Sequence, residues 1–103
     1  MSIVLEFVLY PGLGEAVEAC VRGHLENYFS QIELTMEPLY GLIVDDEGRM
    51  VTIPEHTRYR FVANGPRQGF RQAELEVRLH PAIAGCFDAA STSPVYHLTI
   101  AED

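Results

Sequence analysis

The chain has 103 residues, 48% of them hydrophobic and 21% charged, so it is long enough for one folded domain (residues 1-103) but not for two. Fifteen acidic residues against seven basic ones give a net charge of −8, which disfavours nucleic acid and anionic membranes as partners. All seven basic residues are arginine, which excludes Schiff-base chemistry and a P-loop lysine.

Targeting signals and cysteine usage predict the compartment. Glu6 interrupts the first apolar run, and no basic segment precedes that run, so we expect no signal peptide. No apolar stretch approaches the ~18 residues of a membrane span. Cys20 and Cys86 are too few for a disulfide scaffold and lie in apolar-patterned segments. We therefore expect a cytoplasmic protein with reduced cysteines.

The first two elements are a strand and a helix. Residues 2–10 are rich in β-branched and apolar side chains and end at Pro11-Gly12, which predicts a strand closed by a turn. From Leu13 onward, apolar residues recur three and four positions apart, with acidic residues on the opposite side. This spacing predicts an amphipathic helix.

The middle of the chain predicts a hairpin. Pro38 interrupts an alternating segment, and residues 39–44 form a compact strand that runs into the acidic turn 45–48. Residues 50–53 then return antiparallel, and Pro54 is expected to break the ladder at an edge or a bulge. A third strand follows at residues 57–63.

The remaining elements are a divided helix and a last strand. Pro66 is expected near the start of a helix that runs to about residue 79, with Phe70, Ala73 and Val77 on one stripe. His80-Pro81 is expected to begin a second short helical segment. The alternation over residues 95–100 predicts the final strand.

The order β-α-β-β-α-β predicts an α+β, ferredoxin-like fold with an antiparallel sheet and an extra hairpin. Both helices are expected on one face of the sheet, and the first strand between the third and the last. One set of alternating residues is wholly apolar and should face the helices. The opposite set mixes apolar and charged residues, which is typical of a sheet-to-sheet homodimer with a polar centre.

With these motifs the chain resembles the dimeric α+β barrel superfamily, and within it the antibiotic-monooxygenase-like domains. The matching features are Pro11-Gly12 before an acidic helix, Glu37-Pro38, the turn at 45–49, the aromatic strand 59–61, and His80-Pro81. The resemblance implies a small homodimer with a ligand cavity between helices and sheet. Related members include metal-free and flavin-free oxygenases of polycyclic aromatics, haem-degrading enzymes and isomerases.

Glu6, Arg60 and His97 form the most interesting group of polar residues. If the strand order is right, they share one face of three adjacent strands and lie within side-chain reach of one another. They would then polarise a bound anion or shuttle a proton. The alternative is a buried ion pair that sets the register of a dimer.

The other candidates each have a structural alternative. Cys20 and His24, four residues apart on a helix, suggest either a thiol with a base or two core-facing side chains. His80 is either a helix-entry residue or, as the resemblance implies, a cavity-lining one, and His56 is expected in a solvated loop. No spacing of histidines, acids or cysteines predicts a metal site, and no glycine-rich loop predicts a nucleotide cofactor.

Three hypotheses for function follow. The first is a homodimer that binds an apolar or aromatic molecule and oxidises or isomerises it. Its predicted catalytic residues are His80, Tyr59 and His24, and its predicted ligand contacts are Arg60, Glu6, His97, Tyr96 and Phe70. The second hypothesis is a non-catalytic ligand-binding or sensory module, and the third is an acidic interaction domain that uses the hairpin at 45–47.

The distribution of charge refines the expected ligand. Residues 49–81 carry six arginines against three glutamates, so this segment has a net charge of +3 within an acidic chain. A small molecule bound near Arg58, Arg60 or Arg67 is therefore expected to carry a carboxylate, phenolate or enolate.

Overall fold

The computed structural model describes residues 1–10, 12–67 and 69–101. The elements are β1 (Ser2–Leu9), α1 (Gly14–Glu26), β2 (Phe29–Val44), β3 (Met50–Pro66), α2 (Gln72–Ala89) and β4 (Tyr96–Ala101). Pro11, to which the sequence assigns the first turn, lies outside the described residues. The fold class is α+β, as expected, with a four-stranded antiparallel sheet and two helices.

The strands are hydrogen-bonded in the order β2-β3-β1-β4, so β1 lies between β3 and β4. The predicted division of β1 into an apolar and a mixed face is confirmed. Its alternate residues Ile3, Leu5, Phe7 and Leu9 are buried, and the intervening residues are half-buried. The buried set packs with the inner sides of α1 and α2, because a sheet face covered by helices must be apolar. The opposite face of the sheet carries no described helix and is called the open face below.

β2 and β3 form one long hairpin, in place of the interrupted strands expected from Pro38 and Pro54. Both prolines lie within the ladder, where Pro38 pairs with Thr57 and Pro54 pairs with Tyr40. The register shifts between Leu39 and Tyr40, so the predicted bulge is present beside Pro54. A bulge leaves one residue without ladder hydrogen bonds, so the missing N–H of Pro54 is accommodated there. Pairing of the two strands therefore continues beyond Pro54.

The distal half of this hairpin, residues 39–56, extends beyond the rest of the sheet and is called the arm below. β1 pairs with β3 only between Thr57 and Asn64, so the arm is a two-stranded ribbon. The molecule is correspondingly elongated, with extents of 59 × 27 × 18 Å. A ribbon without a third strand or a covering helix has little apolar burial of its own.

The turn at the tip of the arm forms as the sequence predicts. Asp45 Oδ1 accepts hydrogen bonds from the backbone N–H groups of Glu47 (3.0 Å) and Arg49 (2.8 Å). Gly48 adopts a φ of 80°, a conformation that side chains disfavour. An aspartate and a glycine at these positions fix the turn locally.

α2 differs from its prediction. It is one continuous helix that passes through Pro81, and it begins at Gln72 rather than near Pro66. Its buried residues are Leu75, Leu79, Ile83, Cys86 and Phe87. Val77, which the sequence places on one stripe with Phe70 and Ala73, is 74% exposed, and Ala73 is exposed as well. Packing of the buried residues against the sheet outweighs the local cost of proline, so His80 lies within a helix and does not begin one.

Candidate functional site

The open face carries polar side chains in cross-strand rows. In the middle row, Glu6 is the register partner of Arg60 on β3 and of His97 on β4. The sequence prediction that these residues share one face of three adjacent strands is therefore confirmed. In antiparallel sheets, such directly opposed residues lie within side-chain contact of each other.

Glu6 and Arg60 form an ion pair across the two strands. Arg60 Nε lies 3.3 Å from Glu6 Oε1, and the two side chains are 50% and 43% exposed, respectively. A pair so accessible to water contributes little to the stability of the single chain, and it would be buried only if a second copy covered this face. Both groups remain accessible to a ligand or to a second protein surface.

The next row places a second ion pair beside the first. Arg58 is the register partner of Val8 and of Glu37, and its Nη1 lies 3.5 Å from Glu37 Oε2. Arg58 also borders a depression of about 410 Å³ whose lining includes Glu6, Val8 and His97. The depression combines a carboxylate, a guanidinium and an imidazole with the apolar side chains of Val8 and Val95.

A second depression of about 480 Å³ adjoins the first at the end of the sheet and shares Val8 and Val95 with it. Tyr10 and His56 line it, and their rings lie 4.5 Å apart. His56 is therefore a half-buried residue of β3 packed against a tyrosine ring, and the expectation of a solvated loop histidine was wrong. The sequence could not show this contact, because it joins residues 46 positions apart.

The layer between helices and sheet is filled by side chains. Phe7 stacks against Tyr59 (5.3 Å) and Phe61 (6.1 Å) and meets Phe87 edge-on (5.0 Å). Val17, Val21, Leu25, Leu75, Leu79 and Ile83 are fully buried in the same cluster. The family resemblance predicts a ligand cavity in this layer, but both depressions described above lie along the open face and at its end.

Tyr59, one of the predicted catalytic residues, belongs to that buried layer. Its hydroxyl lies directly under Gly14, the first residue of α1, where an added Cβ would overlap it. Burial, assisted by the carboxylates of Glu18 and Glu15, raises the pKa of Tyr59 above its usual value. Tyr59 is therefore a neutral hydroxyl that packs against a helix terminus.

His80 and Tyr96 lie together on the helix side of the sheet. His80 Nδ1 is 2.8 Å from the Tyr96 hydroxyl, and the Tyr96 ring also packs against Phe87. Phe70 lies elsewhere, edge-on to Tyr28 at 5.1 Å with the Arg78 guanidinium over its ring. These predicted site residues therefore have environments separate from that of Glu6.

Two other arginines that the sequence analysis points to are bound to neighbouring groups of the chain. Arg67 Nε donates a 2.8 Å hydrogen bond to the backbone carbonyl of Glu26, the last residue of α1. Arg49 pairs with Asp45 (3.1 Å) and Glu47 (3.0 Å) within the turn of the arm. The guanidinium of Arg67 thus binds a backbone carbonyl at the C-terminal end of α1. The acidic turn is paired with its own arginine, Arg49.

The cysteines differ from their prediction. Cys20 on α1 and Cys86 on α2 form a disulfide, with their Cα atoms 5.7 Å apart. His24, one helical turn from Cys20, completes a group whose sulfur and nitrogen atoms all lie within 4.8 Å of one another. The expectation of two reduced cysteines was wrong for this structure, because helix packing brings together two thiols that are remote in sequence.

Comparisons with known proteins support the fold class. No protein family matches the sequence, and no curated protein matches it. Among solved structures, the chain is similar to a phage SAM lyase in complex with S-methyl-5'-thioadenosine, with a TM-score of 0.53 and 9% sequence identity. The match covers 95% of this chain and 80% of that chain. At this identity the likeness concerns the fold. None of the described helices is long and apolar enough to cross a membrane.

Proposed function

We propose that this chain is a small-molecule-binding protein of ferredoxin-like fold, whose ligand site lies on the open face around Glu6, Arg60 and His97. The observation that carries the proposal is the depression lined by Glu6, His97 and Arg58, next to the Glu6–Arg60 pair, because it combines groups that bind polar ligand atoms with apolar side chains. The structural neighbour is a protein of similar fold that holds a small ligand, which supports the same class of function.

The pairing of charges favours one kind of ligand. Arg58 and Arg60 are each paired with a carboxylate, so a simple anion would have to compete with Glu37 or Glu6 for its partner. A ligand with hydroxyl or amino donors can instead bind a free oxygen of Glu6 and leave the ion pair intact. We therefore favour a molecule with an apolar part and several hydrogen-bond donors, such as the nucleoside thioether bound by the structural neighbour, over the aromatic anion expected from the sequence.

A reaction at this site would be a proton transfer. Glu6 and His97 are register partners whose side chains both line the depression, and carboxylates and imidazoles are the usual acid and base groups of enzymes. Arg58, which also lines the depression, would stabilise negative charge developing on the ligand. This arrangement favours an isomerase or a lyase over the cofactor-independent oxygenases of the resembling superfamily.

The experiment is a titration of the ¹⁵N-labelled protein with S-methyl-5'-thioadenosine, followed by amide chemical shifts and by calorimetry. We expect saturable shifts in β1, β3 and β4, and at least a tenfold loss of affinity for Glu6→Gln and His97→Gln, about 1.4 kcal/mol each. Glu74→Gln, an exposed change on α2, is the matched control and should bind like the wild type. Benzoate, an aromatic carboxylate, is expected to bind more weakly.

Three outcomes would count against this proposal. Shifts confined to residues around His80 and Tyr96 would place the ligand on the helix side. Saturable binding that is equally strong in Glu6→Gln and in the control would exclude the carboxylate as a ligand contact. The absence of saturable shifts with either probe would exclude both the nucleoside thioether and the aromatic anion as ligands.

We also propose that a second copy of the chain packs on the open face, in the manner of a dimeric α+β barrel. The support comes from apolar side chains that the monomer leaves exposed on both the open face and the arm. Along the arm these are Tyr40, Leu42, Ile43, Val44, Met50 and Val51. Apolar side chains left exposed in this number favour an interaction surface, and their burial in a dimer would stabilise the two-stranded arm and enclose the depression.

Sedimentation equilibrium tests the dimer. Leu42→Glu is expected to weaken self-association, because it places a charge on an apolar side chain that is 65% exposed in the monomer. Val77→Glu, at a comparably exposed position on α2, is the matched control and should leave the association unchanged. A monomeric wild type, or dissociation by Val77→Glu alone, would contradict the proposal.

A further inference from the structure

The group formed by Cys20, His24 and Cys86 has the donor set of a metal site. Cys20 and His24 are four residues apart on α1 and so lie on the same side of the helix, and Cys86 approaches from α2. Their sulfur and nitrogen atoms all lie within 4.8 Å of one another. Two thiolates and one imidazole are ligands that Zn²⁺ prefers, and three protein ligands with one open position are typical of catalytic or exchangeable zinc sites.

We propose that the Cys20–Cys86 disulfide is the oxidised state of a redox-gated zinc site, and that His24 supplies its third ligand. The two states exclude each other, because sulfurs joined in a disulfide carry no thiolate charge with which to bind a cation. The metal affinity of this protein is therefore set by the oxidation state of one cysteine pair.

The site can form without rearrangement of the fold. Two sulfurs bound to one tetrahedral zinc at about 2.3 Å each stand about 3.8 Å apart. With Cα atoms 5.7 Å apart, rotation about the Cα–Cβ bonds is enough to give this separation after reduction. α1 and α2 therefore keep their packing in both states.

The switch consists of two steps, reduction of the disulfide and binding of zinc by the thiols. A dithiol reductant transfers two electrons and two protons to the disulfide, so that the S–S bond breaks, two thiols form, and the reductant leaves as its own disulfide. Zn²⁺ then replaces both thiol protons, and about two protons are released for each ion bound.

Access to the site supports an exchangeable metal. Cys86 is buried, but Cys20 and His24 are half-buried and reach solvent. The reductant and the ion can therefore both reach the cluster through Cys20 and His24. The fourth coordination position would be taken by water or by a ligand from solution.

The test uses the full chain reduced with a phosphine, which does not compete for zinc as a thiol does. Titration with Co²⁺ as the spectroscopic probe should give one equivalent of binding, with thiolate charge-transfer and tetrahedral d–d absorption, and Zn²⁺ should displace it. His24→Gln should weaken Zn²⁺ binding at least tenfold. His56→Gln, a histidine outside the cluster, is the matched control and should bind like the wild type.

Thermal unfolding is measured in parallel, so that a loss of metal binding is distinguished from a loss of the fold. The reduced protein should gain thermal stability with Zn²⁺, while the oxidised protein should give no thiolate absorption and no zinc-dependent stabilisation. Equal affinity in the oxidised protein, or in His24→Gln, would overturn the proposal. A reduced chain that binds no Co²⁺, or that unfolds and is not restored by Zn²⁺, would overturn it as well.

Discussion

Replacement of both cysteines with alanine is expected to lower the free energy of unfolding by about 4 kcal/mol. The disulfide joins residues 66 positions apart, and it therefore closes a long loop in the unfolded chain. The chain-entropy relation, −2.1 − 1.5R ln n with n equal to that separation of 66, gives about −15 cal/mol/K, or about 4 kcal/mol at 25 °C. The effect arises mainly in the unfolded ensemble, which loses conformational freedom when it is cross-linked.

The corresponding change in melting temperature follows from the size of the chain. An unfolding entropy of about 2.1 cal/mol/K per residue over 103 residues amounts to about 0.2 kcal/mol/K. The double variant should therefore melt about 20 °C below the oxidised wild type. Urea unfolding with a chelator present gives the free energy directly, and the slope with urea should rise, because an unfolded chain without the cross-link exposes more surface.

The reduced wild type in the same buffer is the control for the two substitutions. It should lose about as much stability as the double variant, whose own stability should not respond to reductant. A loss below about 1 kcal/mol would refute the loop-closure reasoning, since it would mean that the unfolded chain keeps the two helices together without the bond.

Further predictions concern single side chains. Gly14→Ala should destabilise the protein by about 1–3 kcal/mol, because its methyl group meets the Tyr59 hydroxyl, and Tyr59→Phe in that background should recover part of the loss by thermal melting. Because the folded pKa of Tyr59 is raised, its contribution is complete below the unfolded pKa of about 10 and is lost as the pH rises through the folded pKa. Tyr59→Phe should therefore show a shallower alkaline loss of stability. Pro81→Ala should raise the free energy of unfolding by about 2 kcal/mol in urea, as a helix-interior proline lacks one hydrogen bond. Glu6→Gln should change that free energy by less than about 1 kcal/mol, since its pair with Arg60 is exposed, so any larger effect would show a contact that the monomer does not contain.

The open face and the cysteine cluster impose different constraints on function. The open face presents paired charges on a rigid sheet, where register fixes which groups meet. The cysteine cluster lies on the helix layer, and its properties depend on the redox state of the surroundings. The disulfide removes the cysteine-based argument for a reducing compartment, and the redox-gated site gives one chain a distinct behaviour in each kind of compartment.

Local patterns predicted those parts of the molecule that local physics controls. Alternation in β1 and β3 identified the helix-facing residues, since successive strand side chains point to opposite faces. The same alternation placed Glu6, Arg60 and His97 on one face once the strand order was assumed. Asp45 and Gly48 predicted the turn of the arm, because both act on their own backbone.

The interruptions predicted at two prolines are absent from the structure. Pro81 predicted a helix boundary, but α2 continues, because Leu79, Ile83 and neighbouring residues on the same side are buried against the sheet. Pro54 predicted a ladder broken at an edge or a bulge; the bulge is present, but strand pairing continues beyond it. At Pro81 the local cost of a few kcal/mol is smaller than the packing free energy that a break in the helix would forfeit.

The sequence by itself determined the class of fold, the polarity of each sheet face and the residues of the open-face group, because these depend on periodicities of two and 3.6 residues. Only the tertiary structure decided that Cys20 meets Cys86, that Tyr10 packs against His56, and that the arm extends beyond the sheet. Such contacts join residues far apart in the chain. They are fixed by how the helices and strands pack together, and no local spacing encodes them.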